Sequence, residues 1–269
     1  MYKNLRRLRI LCAIILFILI TASFLNFTGS TTLSSFPLKL QFTPALVSVF
    51  TGGFVAFAFL LILTLLFGRV YCSFLCPMGI LQDMIIRISS FVQKKANGGK
   101  LSKQGKGYKK PHNMIRYTIL VITLLFFFAG ITTPLVLLDP YSNYGTLVIQ
   151  LFGTAELWMN NILSGVFPET FYYQPYVKLS LHAFILASVM FVTILVFSML
   201  RGRLYCNTIC PVGSLLGLIS GFSLFKPAIK KSMCVRCNAC AISCKSNCIN
   251  LENKEIDVTR CIACYDCMI

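Results

Sequence analysis

Residues 68–79 read GRVYCSFLCPMG, and residues 202–213 read GRLYCNTICPVG. The two stretches begin 134 residues apart and agree at Gly, Arg, Tyr, both Cys, Pro and the final Gly. Agreement at these positions is improbable by chance, so the chain is internally duplicated. Each copy follows a long apolar segment. The repeated unit is therefore predicted to be a pair of membrane spans, a Cys-x3-Cys-Pro motif and a short amphipathic helix.

The proline in each copy makes the chemistry of the motif readable. Proline suits the first position of a helix, so Pro77 and Pro211 predict helix starts, with Cys76 and Cys210 at or near the caps. A helix N-terminus favours a thiolate or an anionic iron–sulfur cluster. Together the copies supply four thiolates, the ligand count of one [4Fe–4S] cluster, from Cys72, Cys76, Cys206 and Cys210. Inert buried cysteines, a zinc site and a redox disulfide are the alternatives, and a reducing cytosol disfavours the disulfide.

Four apolar segments are candidates for membrane spans. The chain has 269 residues, of which 57% are hydrophobic and 12% charged, whereas a soluble domain is about 25% charged. A bilayer core of about 30 Å needs roughly 20 apolar residues as a helix, and the candidates are residues 10–27, 44–67, 114–131 and 177–200. Basic residues precede the first, as in a signal peptide, but no small-residue cleavage site follows, so a retained anchor is expected. We predict an all-α transmembrane fold, with a four-helix membrane domain over residues 1–225.

The net charge of +17 is explained by membrane topology. With both termini inside, 23 of 25 basic residues lie in cytoplasmic loops and tails or at the inner ends of spans, the exceptions being Lys39 and Lys178. This asymmetry predicts a multi-pass protein with cytoplasmic N- and C-termini, and no nucleic-acid partner is expected. The Gly-rich run Lys94–Lys110 is predicted to contact anionic membrane lipid. Arg69 and Arg203, inside the motifs, are predicted to be interfacial anchors or donors to a bound anion.

A further stretch, residues 146–166, combines apolar residues at helical spacing with polar residues between them. A fifth span here would separate the two motifs across the membrane. We therefore predict an amphipathic helix on the outer surface, with Trp158 at the interface. A helix packed within an external cap is the alternative.

The C-terminal segment, residues 226–269, carries eight of the 13 cysteines. A 2-2-3 run, one further cysteine and a 2-2 run follow in order: Cys234, Cys237, Cys240, Cys244, Cys248, Cys261, Cys264 and Cys267. The first run matches the bacterial ferredoxin spacing, whereas a zinc ribbon has two separated Cys-x2-Cys pairs. We predict a ferredoxin-like α+β domain with two [4Fe–4S] clusters, and with Ile249 and Ile256 in their apolar shell.

The ligand count of this tail is incomplete. In a two-cluster ferredoxin the fourth Cys of each run binds the other cluster, so Cys244 would join the second cluster. The first cluster needs a Cys four residues after Cys267, and the sequence stops two residues after it. We expect the sequence to be a fragment of a longer protein, with Cys248 as the substitute ligand otherwise. Lys245 stands where the run usually has proline.

The paired Cys-x3-Cys-Pro motifs together with the ferredoxin tail resemble the polyferredoxin-type membrane 4Fe-4S binding proteins. These include the quinol-dehydrogenase membrane subunit of periplasmic nitrate reductase, the nitrous-oxide reductase membrane regulator and cytochrome oxidase accessory proteins. The resemblance covers residues 68–268. It implies a bacterial inner membrane location and electron transfer through [4Fe–4S] clusters, without choosing among the branches.

Two functions follow as hypotheses. The first is a membrane-anchored component that passes electrons between the quinol pool, or a cytoplasmic donor, and a protein redox partner, with a hetero-oligomer as one arrangement. The second is an accessory or regulatory iron–sulfur protein for metalloenzyme maturation or redox sensing. A zinc-bound structural module is the third reading. No nucleotide or flavin motif occurs in the sequence.

Three other residues have open roles. His182, in the fourth span, is an ionisable group that either packs between helices or accepts a quinol proton. Asp139 is either a cap or turn, or part of an outward quinol site. Cys12 is predicted to be inert packing.

Overall fold

The computed structural model describes residues 2–25, 35–50, 53–96, 107–166, 173 and 181–268. The helices of its first half are α1 (Tyr2–Phe24), α2 (Ser35–Lys39), α3 (Phe42–Phe50), α4 (Phe54–Phe67), α5 (Tyr71–Phe74) and α6 (Pro77–Ala96). Those of the second half are α7 (Asn113–Phe128), α8 (Thr133–Leu138), α9 (Pro140–Val166), α10 (Leu181–Arg201), α11 (Leu204–Thr208) and α12 (Pro211–Ser220). The order repeats, so the duplicated unit contains six helices and is larger than the motif alone suggests.

Two predicted spans differ from the observed helices. The segment 44–67 is not one continuous helix, because it is divided between α3 and α4, which pack on each other. Gly53 lies at the division, and glycine is a poor residue for a helix interior. The third span ends early, at Phe128, and Gly130 follows in the left-handed conformation that commonly ends helices. The part of the fourth predicted span before Leu181 lies outside the described residues.

The stretch predicted as an outer amphipathic helix belongs to α9, which is 27 residues long and also includes residues 140–145. It packs mainly against α10 and α6. Trp158 is 60% exposed. Its position at a membrane surface stays a prediction.

Two described helices are long and apolar enough to cross a membrane, Asn4–Phe24 and Leu181–Arg201. Phe54–Phe67, Asn113–Phe128 and Pro211–Ser220 are shorter apolar helices. Large apolar side chains are exposed along α1, α4, α7 and α10. Soluble monomers rarely expose so much contiguous apolar surface, so this surface suits association with a membrane.

The tail folds against the helical halves and has little regular structure of its own. It contains α13 (Ala239–Ser243) and a hairpin of β1 (Ile249–Asn250) and β2 (Glu255–Ile256), with Ile249 opposite Ile256. Two short 3-10 turns, Lys231–Met233 and Asp266–Met268, complete it. The combination is small, mixed and loop-rich, as expected of a ferredoxin-like segment.

The main core lies where the two motifs meet the tail. It includes the motif tyrosines, all four motif cysteines and two residues of the last tail loop, and its members are Tyr71, Cys72, Cys76, Tyr205, Cys206, Cys210, Ile262 and Cys264 among others. The duplicated motifs and the ferredoxin-like tail therefore share one hydrophobic core.

Candidate functional site

The two prolines begin helices as predicted. Pro77 starts α6 and Pro211 starts α12, and Cys210 is the N-cap of α12. The Cys210 Sγ accepts a hydrogen bond of 3.2 Å from the Gly213 amide. This donor favours a thiolate, or a metal-bound sulfur, over a thiol.

Burial works against free thiolates at these positions. It raises the pKa of Cys206 to about 11, and those of Cys76 and Cys210 well above the usual value. The sulfurs therefore carry protons unless a metal replaces them. Cys206 meanwhile donates to Gln82 Oε1 at 3.0 Å.

Arg69 and Arg203 cross between the motifs. The Arg69 guanidinium donates to the carbonyl of Cys206 at 3.0 Å, and the Arg203 guanidinium donates to the carbonyl of Cys72 at 2.5 Å. Both side chains are fully buried. The prediction that they are interfacial anchors is wrong, because they hold the two copies together inside the protein.

The final glycine of each motif permits this crossing. A Cβ at Gly79 would fall deep inside contact distance of the Cys72 carbonyl oxygen, and 3.1 Å from the Arg203 guanidinium. A Cβ at Gly213 would strike the Cys206 carbonyl in the same way. Each copy thus needs a residue without a side chain here, which explains why both end in glycine.

Arg69 bears on whether an anionic cluster fits the motif cysteines. Its described hydrogen-bond acceptors are neutral, apart from the Cys72 sulfur at 3.9 Å, and no carboxylate pairs with it among the described residues. Its Nε has no partner there either. A buried cation without counter-charge is costly, and the motif thiolates would supply that charge. The four cysteines and Arg69 therefore fit an anionic metal group.

The motif sulfurs are not gathered around a point. Among the described residues, no three His, Cys, Asp or Glu side chains converge at the spacing of a single metal ion. The four cysteines lie instead in a common core. A cubane cluster separates its four ligand sulfurs more widely than one ion does.

The two tail loops share an unusual backbone. Arg236 and Asn238 flank Cys237 with positive φ, and Ala263 and Tyr265 flank the equivalent Cys264 in the same way. A non-glycine residue in this region costs about 1–2 kcal/mol. The same strain repeated in both Cys-x2-Cys-x2-Cys loops indicates that both are shaped around similar objects.

One group of tail cysteines lines a pocket. It has about 420 Å³ of empty space, partly open to solvent, and its walls include Cys244, Cys248, Cys261, Cys264, Cys267, Ile249 and Ile256. Backbone amides from residues 246–248 and the Cys248 thiol donate to the Cys244 sulfur, and they lower its pKa to about 6. Sulfur ligands, amide donors and an apolar wall together fit an iron–sulfur cluster.

Cys248 belongs to this pocket. Its Sγ lies 3.5 Å from the Cys244 Sγ, and its thiol also interacts with Cys261. Cys234, Cys237 and Cys240 form the other group of tail cysteines. The structure thus sets Cys248 beside the predicted ligands of the second cluster, whereas the sequence prediction offers it to the first.

A buried ionic network joins the tail to the motifs, and sequence reasoning missed it. Asp83, on α6, receives Arg203 at 2.8 Å, Lys245 at 2.9 Å and Arg9 at 3.2 Å. Burial alone would raise the Asp83 pKa, but these three cations hold it well below its usual value. Lys245 also binds Asp266 at 2.9 Å. The lysine that replaces the usual proline therefore locks the tail onto α6.

A second contact docks the other tail loop. The Thr259 carbonyl accepts hydrogen bonds from Arg69 at 3.2 Å and from Arg116 at 3.1 Å. Gly217, on α12, leaves the space for this approach, because a Cβ there would overlap the Arg116 guanidinium and crowd the Thr259 carbonyl oxygen. Sequence comparison of the copies could have found this pair of docking points, since Gly217 is the counterpart of Asp83.

The remaining candidates lie apart from this network. Asp139 caps α9, accepting from the Ser142 amide at 2.8 Å, and it also accepts from Thr43 of α3 at 2.5 Å. The predicted capping role is confirmed. His182 is exposed on α10, and Cys12 is half-buried on α1.

Comparison with known proteins supports the iron–sulfur interpretation of the motifs. Residues 49–96 and 183–232 each match the 4Fe-4S binding domain family. The matches begin 134 residues apart, at the offset of the two motifs, and each contains one Cys-x3-Cys-Pro. The duplicated segments themselves are thus similar to an iron–sulfur binding domain.

Several known proteins resemble most of the chain. MJ0749, an uncharacterized protein of Methanocaldococcus jannaschii, is 25% identical over 213 residues, 77% of this chain and 63% of its own. YccM of Escherichia coli, named provisionally as an electron transport protein, is 22% identical over 84% of this chain and 55% of its own. The regulatory protein NosR of Pseudomonas aeruginosa is 25% identical over 80% of this chain and 26% of its own. The chain thus spans about a quarter to two thirds of these relatives, and no solved structure matches it significantly. The resemblance predicted from the motifs is confirmed.

Proposed function

We propose that this chain is a membrane electron-transfer protein in which tail clusters and a motif cluster form one relay. The observation that carries the proposal is the shared core, in which Ile262 and Cys264 of the last tail loop are buried with the four motif cysteines. Two redox sites that share a core are close enough to exchange electrons directly. The relative named for electron transport supports the same function.

The proposed ligand sets follow the two groups of tail cysteines. Cys244, Cys261, Cys264 and Cys267 are assigned to the second tail cluster. The first tail cluster takes Cys234, Cys237 and Cys240, with a fourth ligand from Cys248 or from sequence beyond Ile269. A third cluster is assigned to Cys72, Cys76, Cys206 and Cys210.

Iron–sulfur clusters, when bound, supply the one-electron chemistry. The chain contributes thiolate ligands, amide donors such as the Gly213 N–H, and a largely dry core. Arg69 and Arg203 add positive charge beside the motif cysteines. Positive charge and amide donors near a cluster stabilise its reduced, more negative state.

We further propose a multi-pass protein of a bacterial inner membrane, with both termini in the cytoplasm. The two long apolar helices support membrane insertion, and the distribution of basic residues supports this orientation. The motifs and tail then face the cytoplasm. Electrons would pass between the quinol pool, or a cytoplasmic donor, and a protein redox partner.

A regulatory or accessory role is the second candidate function. The observation that favours it is the similarity to NosR, which is named a regulatory protein. In that role the clusters would sense redox state or assist metalloenzyme maturation, without sustained turnover. The two functions are distinguished by the response to a quinol.

The test is anaerobic purification of the full chain in detergent, followed by iron and sulfide analysis and addition of a reduced quinol analogue. Electron transfer predicts iron with labile sulfide and cluster reduction seen by EPR. The Cys72→Ser/Cys206→Ser variant should keep the tail clusters but lose iron and rapid reduction, while Cys12→Ser behaves as the parent. Protein without iron or sulfide would end the proposal, and full clusters that stay silent to quinol and to reduced ferredoxin would favour the regulatory role.

A further inference from the structure

A second pocket, distinct from the cysteine sites, has a strongly basic lining. It lies between the segment before α7, the end of α10, the start of α11 and the tail, with about 460 Å³ of empty space. Its ionisable lining residues are Lys109, Lys110, His112, Arg116, Arg201 and Arg260. None of the lining residues is acidic.

The walls of this basic pocket are fixed by hydrogen bonds. The Lys109 amide donates to the Asn247 carbonyl at 3.3 Å, and the Arg260 guanidinium donates to the Lys109 carbonyl at 2.8 Å. Arg260 also lies over the Tyr108 ring, 5.5 Å from its centroid. The approach to α7 is therefore pinned to the tail, and the pocket is more than a set of loose surface lysines.

Three buried residues of the lining keep a polar atom without a partner. They are Arg116 at Nε, Ser246 at Oγ and Arg260 at Nη2, none with a hydrogen bond within the described part of the chain. These residues are 1%, 5% and 5% exposed. Buried polar groups are nearly always satisfied, so three together point to a missing partner.

The start of α7 adds further donors. His112 is its N-cap and makes no side-chain capping bond, so the first amides of this 16-residue helix lack an acceptor from the cap. Free amides at a helix N-terminus, together with the helix dipole, favour an anion.

We propose that the basic pocket binds a phosphate group, as a phosphate ester of a membrane phospholipid or as a soluble phosphate. The surplus of cations requires an anion. Donors approach from the tail, from α7 and from α10, and a phosphate presents acceptor oxygens in several directions. The neighbouring starts and ends of α7 and α10 are where lipid headgroups would lie. The inference does not depend on the proposed electron transfer.

Occupancy has a structural consequence. Arg116 reaches from α7 to Thr259, two residues before Cys261, and Arg260 lies between them in sequence. A phosphate between Arg116 and Arg260 would screen their mutual repulsion. It would thereby fasten the second tail loop to the membrane helices.

The test is native mass spectrometry of the full chain in detergent, with phosphatidylglycerol added in one arm and inorganic phosphate in the other. The Lys110→Ala/Arg201→Ala variant removes two exposed cations of the pocket. The Arg7→Ala/Lys230→Ala variant removes two exposed cations elsewhere and is the matched control. A further variant, Lys110→Arg/Arg201→Lys, keeps the charge.

The parent should retain one phosphatidylglycerol, or one phosphate that competes with it. The pocket variant should bind about thirty-fold more weakly, as expected for the loss of two headgroup-level cations, while the control and the charge-preserving variant bind like the parent. Equal iron and sulfide contents would show that all variants are folded. Retention of neither probe by the parent, or equal affinity in the pocket variant, would overturn the proposal.

Discussion

Arg69 and Arg203 show how one residue type in a duplicated motif can serve the whole protein. Each guanidinium leaves its own copy and binds the carbonyl of the first cysteine in the other. Removal of either would unseat a cysteine that belongs to the opposite motif. The cysteine quartet is thus organised by contacts between the copies, which the sequence of a single copy does not contain.

The motif glycines give the sharpest test at this scale. Gly79→Ala should destabilise the protein by about 1–3 kcal/mol, because the new methyl overlaps the Cys72 carbonyl oxygen, and it should lower the iron bound at the motif. The measurements are thermal unfolding in detergent and iron content. Gly165→Ala is the matched control, since its methyl meets nothing within 4 Å in the described helix and should stabilise by up to about 1 kcal/mol. Equal stability of the two variants would refute the proposed packing.

Local rules predicted some residues of the site and not others. Proline and capping preferences gave the starts of α6 and α12, because these depend on neighbours in sequence. The spacing of the tail cysteines likewise predicted ligands within one loop. The burial of Arg69 was unpredictable, because its acceptors Asn207 and Thr259 lie 138 and 190 residues away.

At the scale of elements, the two copies have diverged where they meet the tail. Asp83 of α6 and Gly217 of α12 are counterparts, and each lies at one docking point. The acidic side chain binds Lys245, whereas the missing side chain admits Thr259 and Arg116. A symmetric pair of helices has thus become an asymmetric platform for two different tail loops.

Lys245 is predicted to hold one of these contacts. Lys245→Met removes a buried cation shared by Asp83 and Asp266, and should cost roughly 3 kcal/mol. Lys231→Met removes a pair that is more than half exposed and should cost less than about 1 kcal/mol. Limited proteolysis should therefore release the tail much faster from the first variant only. Equal cleavage rates would mean that Lys245 does not dock the tail.

The left-handed residues of the tail loops allow a test by metal removal. Ala263 has φ of 50° next to Cys264, where glycine is strain-free and a β-branched residue is strongly disfavoured. Ala263→Val should speed iron loss to a chelator several-fold, whereas Ala263→Gly should match or slow the parent. Absorbance after chelator addition follows the loss. A valine variant as robust as the glycine variant would show that this backbone conformation is dispensable.

At the scale of the molecule, periodicity and repetition predicted most of the architecture. The duplication, the helical class and the cysteine-rich tail all follow from patterns along the chain. The division of residues 44–67 into α3 and α4 did not, because the whole stretch is apolar and its break depends on tertiary packing. The boundary predicted after residue 225 also conceals how closely the tail joins the rest, since docking rests on pairs such as Arg9 with Asp83 and Lys245 with Asp83.

That closeness predicts that the tail needs no covalent link to stay in place. A protease site inserted between Pro227 and Ile229, in the segment before the first tail turn, separates the predicted domains in the assembled chain. After cleavage the two pieces should still elute together, because the buried ionic network and the shared core remain. High salt should weaken this association little, since buried pairs are poorly screened.

The same cleaved protein identifies what holds it together. Asp83→Asn leaves Arg9, Arg203 and Lys245 without their common acceptor, so the pieces should separate on gel filtration, taking the tail iron with the small piece. Glu255→Gln, which removes the exposed partner of Lys231, should leave them joined. Dissociation of the unmodified pieces on cleavage would mean that the tail is a tethered module, and that the shared core does not carry electrons between fixed partners.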